Sequence, residues 1–178
     1  MIKPKVIWIT GLSGAGKTNL SKRLQKYFLE HENQKYVGLD GDVLRKGLCS
    51  DLGFSDEDRR ENIRRVAELS KVFMENGQSC ICSFISPTKK IRALARKIIG
   101  DDRFIEVYVN TPLEVCEKRD VKGLYKKARS GEIKKFTGID SEYEAPENPE
   151  VIIDCSNQNL NVNDLYQKIK LYLSHLVA

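Results

Sequence analysis

Histidine is scarce in this chain: two residues, His31 and His175, among 178. So few imidazoles, so far apart, exclude a histidine-rich metal centre. The five cysteines (Cys49, Cys80, Cys82, Cys116 and Cys155) are odd in number and form no Cys-x-x-Cys pair. Neither a disulfide framework nor a zinc ribbon follows from that pattern, and the thiols are expected to be reduced and mostly buried. Cys80 and Cys82 stand two apart in an apparent strand and are expected to face the same side. Long apolar runs are missing too. After Met1-Ile2-Lys3-Pro4-Lys5 the apolar run spans only Val6 to Ile9, too short for a signal-peptide core or a membrane span. A cytoplasmic protein with no membrane partner is expected. The chain contains neither an internal repeat nor a low-complexity linker, and its length suits a single domain spanning residues 1–178.

What is present is an ordinary globular composition, 40% hydrophobic and 31% charged. Thirty basic against 25 acidic residues leave a net charge of +5, a mild excess that suits an anionic small molecule as well as a weak nucleic-acid surface. Short apolar runs alternate with helical patterns. Strands are expected at residues 5–10, 36–39, 79–85, 104–109 and 151–154, and their separation by helices points to an α/β domain whose sheet is mainly parallel and covered on both faces. Thr111-Pro112-Leu113-Glu114 and Ser86-Pro87 look like helix caps followed by proline. Gly77 and Gly100 are placed to close the helices before them. From Asp58, the spacing of Ile63, Val66, Ala67, Phe73 and Met74 gives a helix with an apolar face, on which Arg59 and Asn62 lie three apart. Residues 122–149 differ from the rest: a basic segment, KGLYKKARSGEIKKF, gives way to the acidic DSEYEAPENPE. One interpretation is a solvated helix and loop; the other is a lid over roughly residues 120–149 whose cations cover phosphates.

The first strand runs into Gly11-Leu12-Ser13-Gly14-Ala15-Gly16-Lys17-Thr18, which satisfies G-x-x-x-x-G-K-[ST] between a strand and a helix. Glycines let backbone N–H groups wrap a phosphate, and the following helix adds the positive end of its dipole. Lys17 is expected to meet the β- and γ-phosphates of ATP and Thr18 to ligate Mg²⁺. The second strand ends in Leu39-Asp40-Gly41-Asp42, which puts two carboxylates at the sheet edge where such folds bind ligands. Asp40 and Asp42 are therefore candidate partners for metal and nucleophile, or simply Asx caps of a turn.

Through GLSGAGKT, LDGDVLRKGL, DLGFSDEDRRENIRR, SFISP and FIEVYVNTPLEVCEKRDVKGLYKKARSGEIKKFTGIDSEYEAP, nearly the whole chain resembles the adenylyl-sulfate kinases. That resemblance implies a P-loop NTPase-type three-layer fold with a five-stranded sheet and a helical lid. It also implies transfer of the γ-phosphoryl of ATP to the 3′-hydroxyl of adenosine 5′-phosphosulfate (APS), yielding 3′-phosphoadenosine 5′-phosphosulfate (PAPS). Carried over residue by residue, it implies that Asp42 orients or receives the hydroxyl proton while Asp40 helps to position the Mg²⁺ shell. Arg45, Arg59 and Asn62 would contact the acceptor's phosphosulfate and sugar, and Phe54 and Phe136 would sandwich its adenine. Ile85, Ser86 and Pro87 would form the turn beneath it, with Lys122 and Leu124 lining the same pocket and Arg119 reaching the ATP phosphates. Ser86 has been proposed in this family as a phosphorylated intermediate; its place before Pro87 is also explained by a cap, and direct in-line transfer is expected. The resemblance further implies a homodimer. Two other readings stay open: a P-loop kinase of another small hydroxyl compound, and a nucleotide-gated binding module. The basic lid lacks the interleaved aromatics of a nucleic-acid surface, so no nucleic-acid partner is expected.

Overall fold

The computed structural model describes residues 3–155 and 162–175. All five expected strands are present: β1 (Val6–Thr10), β2 (Val37–Asp40), β3 (Cys80–Ser83), β4 (Phe104–Val109) and β5 (Val151–Ile153). They pair in parallel throughout, in the order β2-β3-β1-β4-β5. The sheet is thus wholly rather than mainly parallel among the described residues, as expected when every connection crosses over through a helix.

Alternation along the strands sorts side chains into two cores. From β1, Ile7 and Ile9 face the layer built by α1 (Lys17–Glu32) and α7 (Val162–His175), where Leu20, Leu24, Phe28, Leu165 and Ile169 are buried. Val6 and Trp8 face the opposite layer, made by α3 (Asp56–Glu75) and α4 (Lys89–Ile99), against Ile63, Val66, Ala95 and Ile99. Both faces of β1 are fully buried, which is why it reads as an unbroken apolar run. Each such buried aliphatic side chain stabilises the fold by roughly 1.5–3 kcal/mol. Cys80 and Cys82 do share a face, inside the Trp8 core. Burial pushes the Cys80 thiol up to about 12 and the Cys82 thiol higher still, so both stay protonated. The five cysteines are all free. Among the described residues, no group of three or more His, Cys, Asp or Glu could hold a metal ion, and no helix is long and apolar enough to cross a membrane.

Several local signals resolve differently from their sequence appearance. Helix α3 begins at Asp56, two residues before the pattern suggested, because Ser55 Oγ caps it by accepting from the N–H of Asp58 at 3.1 Å. Ser86 is not the cap of α4. That role falls to Thr88, whose Oγ1 accepts from the N–H of Ile91, while Ser86 is buried at φ +39° and β3 stops short of it. Thr111 is not a cap either. Pro112 occupies the cap position of α5 (Leu113–Arg119), and the Thr111 hydroxyl instead donates to the carbonyl of Ala15 at 3.0 Å. Gly77 (φ +77°) and Gly100 (φ +102°) follow α3 and α4 with the positive φ that glycine tolerates. Beyond α5 comes α6 (Leu124–Arg129) and then an irregular stretch that returns to β5, carrying a lone bridge between Thr137 and Ser141.

Candidate active site

The carboxyl ends of β1, β2 and β3 converge on one edge of the sheet. There β1 turns into the glycine loop and α1 starts at Lys17, with Gly16 (φ +112°) at its cap. Gly11 has φ +150°, and a Cβ there would lie 2.7 Å from the carbonyl oxygen of Val109, so the close approach of loop and β4 demands glycine. Lys17 is buried and donates to the carbonyls of Gly11 at 2.9 Å and Leu12 at 2.7 Å. Burial pushes its ammonium down to about 8, because a desolvated cation is costly until an anion joins it.

Across from the loop, Asp40 holds three partners. Its Oδ2 accepts from Thr18 Oγ1 at 2.8 Å and from Ser83 Oγ at 3.3 Å. Its Oδ1 accepts from the N–H of Asp42 at 3.0 Å, capping the short helix α2 (Gly41–Leu44). The Asx cap and the contact with the phosphate-loop threonine therefore coexist in one carboxylate. Asp42 projects beyond the cap, more than half exposed, and is ion-paired to Lys122 at the base of α6.

The remaining candidates fall into two groups. Around the exposed Phe54, the Arg45 guanidinium lies 4.4 Å from the ring centroid and donates to the carbonyls of Leu52 and Gly53. Arg59 donates from Nε to the Phe54 carbonyl at 3.0 Å, from Nη1 to Thr137 Oγ1 at 2.9 Å and from Nη2 to the Lys135 carbonyl at 2.7 Å. It thereby ties Phe54 to the segment bearing Phe136, which packs edge-on against Tyr125. On the same helix Asn62 is buried and its Oδ1 has no hydrogen-bond partner, an oxygen left seeking a donor.

The second group lies beneath the loop. The Ile85 carbonyl accepts from Thr10 Oγ1 at 2.7 Å, Ser86 Oγ accepts from Trp8 Nε1 at 3.2 Å and donates to Thr10 Oγ1 at 3.1 Å, and the Pro87 carbonyl accepts from the N–H of Glu144 at 2.8 Å. Leu124 opens α6, half-buried. Arg119 donates to the Cys155 carbonyl, alongside the loop. A cavity of about 510 Å³ opens between Leu12 and the return segment, lined by Gly138, Ile139, Asp140 and Tyr143 among others.

A phosphate loop thus faces an acidic turn and an arginine-braced aromatic. The model of the adenylylsulphate kinase family matches residues 3–154. The chain belongs to that family. The adenylyl-sulfate kinase of Vibrio vulnificus (strain YJ016) is 54% identical over 158 residues, covering 89% of this chain and 76% of the relative. That of Pseudomonas aeruginosa is 53% identical over 157 residues, covering 88% and 80%. The solved structure of the Mycobacterium tuberculosis APS kinase CysC in complex with AMPPNP and APS has a TM-score of 0.89 and 41% identity, covering 98% of this chain and 99% of that one. A hexameric APS kinase from Thiobacillus denitrificans has a TM-score of 0.66 at 28% identity and spans 97% of this chain but 29% of its own.

Around this adenylylsulphate kinase site stand residues that inspection of the sequence passes over. Arg92 is buried and lies 3.0 Å through Nε from Glu106 Oε1, while Nη1 donates to the Ser86 carbonyl at 2.8 Å and Nη2 to the Glu144 carbonyl at 2.6 Å. Its signal was available: in α4 the buried positions are Ile91, Arg92, Ala95 and Ile99, so an arginine stands on the apolar stripe. Tyr143 shares a hydrogen bond with Thr10 at 2.9 Å, 133 positions away, and Tyr125 donates to the Ser13 carbonyl at 2.9 Å, 112 away. No local pattern encodes either contact.

Proposed function

We propose that the site is a two-sided phosphoryl-transfer pocket, in which residues 11–18 hold ATP and the Asp40–Asp42 turn directs the acceptor alcohol. The chain is an adenylyl-sulfate kinase: it transfers the γ-phosphoryl group of ATP to the 3′-hydroxyl of APS, giving PAPS and ADP. The observation that carries the residue-level reading is the 2.8 Å contact between Thr18 and Asp40, which brings the phosphate loop and the acidic turn to one point.

Phosphoryl transfer asks a protein mainly for alignment and charge neutralisation. Loop N–H groups and Lys17 take the β- and γ-phosphates, Lys17 leaving the Gly11 and Leu12 carbonyls that it now occupies. Thr18 Oγ1 and Asp40 Oδ2 are hard oxygen donors side by side, a fit for Mg²⁺ through one carboxylate, phosphates and water. Mg²⁺ held there by Thr18 and Asp40 would offset the negative charge of the triphosphate. On the acceptor side, Lys122 exchanges Asp42 for the phosphosulfate anion, which frees the Asp42 carboxylate for the 3′-hydroxyl. As the 3′-oxygen forms its bond to the γ-phosphorus, the bond from that phosphorus to the β,γ-bridging oxygen breaks, and the hydroxyl proton passes to Asp42. Phe54 and Phe136 stack the acceptor adenine, with Arg45 and Arg59 as forked donors and the unpartnered Asn62 Oδ1 accepting from the ligand. Arg119 lies on the ATP side. Ser86 serves as scaffold: its hydroxyl is buried and engaged by Trp8 and Thr10, which argues against a phosphoserine intermediate and for direct transfer.

The same reading takes residues 1–178 as one domain with a lid over about 120–149, a homodimer, in the cytoplasm. Support for the lid is the contact of Lys122 with Asp42 and of Arg59 with Thr137. Coupled measurement of ADP release tests the reading. Release dependent on APS supports it, and release unaffected by APS, or elicited only by another alcohol, removes the acceptor assignment.

A further inference from the structure

Carbonyl oxygens that turn into a phosphate loop repel the anion the loop must hold. Here four are drawn aside by side chains. Lys17 takes those of Gly11 and Leu12, Thr111 takes that of Ala15, and Tyr125 takes that of Ser13. Lys17 is needed by the phosphates, so Thr111 and Tyr125 are the standing clamps. They differ in what else they touch. Thr111 lies just past β4, whereas Tyr125 is the second residue of α6 and its ring meets Phe136 at 5.0 Å between centroids, edge to face at 82°. The residues flanking Phe136 are bonded to Arg59, which also bonds the Phe54 carbonyl. One path thus runs from Ser13 through Tyr125 to Phe136 and, by way of its chain neighbours Lys135 and Thr137, to Arg59 and Phe54.

We infer that Tyr125 is a positioning residue that couples occupation of the donor loop to the aromatic platform for the acceptor, its hydroxyl holding the one and its ring edge the other. This rests on the kinase reading above, which makes Phe54 and Phe136 that platform. Tyr125 is itself buried, and burial pushes its phenol well above its ordinary value, so it remains a donor throughout the working range of pH. Gripping triphosphate fixes Ser13; Ser13 then fixes Tyr125; Phe136 loses the freedom that acceptor binding must otherwise remove.

The test compares APS dissociation constants by calorimetry with and without a non-hydrolysable ATP analogue and Mg²⁺. In the wild type the analogue tightens APS binding about fivefold or more. Tyr125→Phe keeps the ring and removes the hydroxyl; APS binding without analogue is unchanged, and the ratio falls to within about twofold of unity. Thr111→Val weakens the analogue but keeps the wild-type ratio, which separates coupling from simple damage to the loop. Phe136→Leu weakens APS and also collapses the ratio, leaving analogue affinity intact, and it decides the matter should Tyr125→Phe melt below the assay temperature. A wild type without coupling, or either Tyr125→Phe or Phe136→Leu with the wild-type ratio, overturns the inference. Failure of the wild type to make PAPS overturns the underlying reading instead.

Discussion

Arg92 Nη1 donates to the carbonyl of Ser86 at 2.8 Å, and Ser86 sits at φ +39°, a conformation that a residue with a Cβ adopts only when its surroundings hold it there. The same guanidinium reaches Glu106 and the Glu144 carbonyl. One buried fork therefore pins the Ser86 turn, the segment carrying Glu144 and β4 to one another.

Arg92→Met leaves Glu106 buried without its near cation and is expected to cost about 3–5 kcal/mol of stability. Burial already raises the Glu106 carboxyl above its ordinary value, with Arg92 and Arg96 opposing that shift. A raised folded-state value means the folded protein holds more protons, so the contribution of Glu106 to stability falls as pH rises through that range. The deficit of Arg92→Met therefore shrinks as the medium is acidified toward the carboxylate range, and Glu106→Gln added to it restores part of the loss at neutral pH. Denaturant melts at two pH values measure this; a deficit independent of pH would remove Glu106 from the account.

Ser86→Gly relieves the positive φ and deletes the hydroxyl. If transfer is direct, kcat stays within about tenfold of wild type, while loss of the partner to Trp8 and Thr10 costs about 1–3 kcal/mol of stability. Steady-state kinetics beside thermal melts give the answer. Abolished turnover in a folded variant, or a phosphoserine at position 86 that turns over, would restore the covalent route.

Lys17 is held down to about 8 by burial, against 10.5 for the free side chain. Triphosphate charge favours the ammonium, so binding an ATP analogue above about pH 8 must draw a proton from solution, and binding near pH 7 need not. Calorimetry in buffers of different ionisation enthalpy reads that uptake directly. Lys17→Met should abolish it along with most of the affinity; uptake persisting in Lys17→Met would assign the proton to another group.

Phe54 is 60% exposed and braced by Arg45, an arrangement with little packing to lose. Phe54→Ala is therefore expected to raise KM for APS about tenfold or more, the loss of one stacking contact and its desolvation, with KM for ATP and the melting temperature nearly unchanged. Parallel rises in both KM values would make Phe54 a packing residue.

The phosphate loop and the Asp40–Asp42 turn were legible because their chemistry is written in contiguous residues, and the strands because the central ones, β1, β3 and β4, are buried on both faces and mostly apolar, while the edge strands β2 and β5 are short apolar runs between helical patterns. Contacts made by topology were not. Thr10 and Tyr143 are brought together only when the segment between α6 and β5 returns past β1. Thr111 shows how a sound local rule loses: beside Pro112 it resembles a cap, yet the buried Ala15 carbonyl needed a donor more than the helix did. Arg65, which sequence alone leaves as a solvated arginine, pairs bidentately with Asp51 at 2.6 and 2.8 Å and donates to the Leu48 carbonyl, bracing the loop that carries Phe54.

Asp42 is paired with Lys122, and that pair must part if Asp42 is to take the acceptor's proton. A crystal structure with a non-hydrolysable ATP analogue, Mg²⁺ and APS tests this most directly. The predicted result is the APS 3′-oxygen within about 2.6–3.2 Å of an Asp42 carboxylate oxygen, in line with the γ-phosphorus, and Lys122 turned to the phosphosulfate. A 3′-hydroxyl pointing away from Asp42, with the Lys122 pair intact, would contradict it.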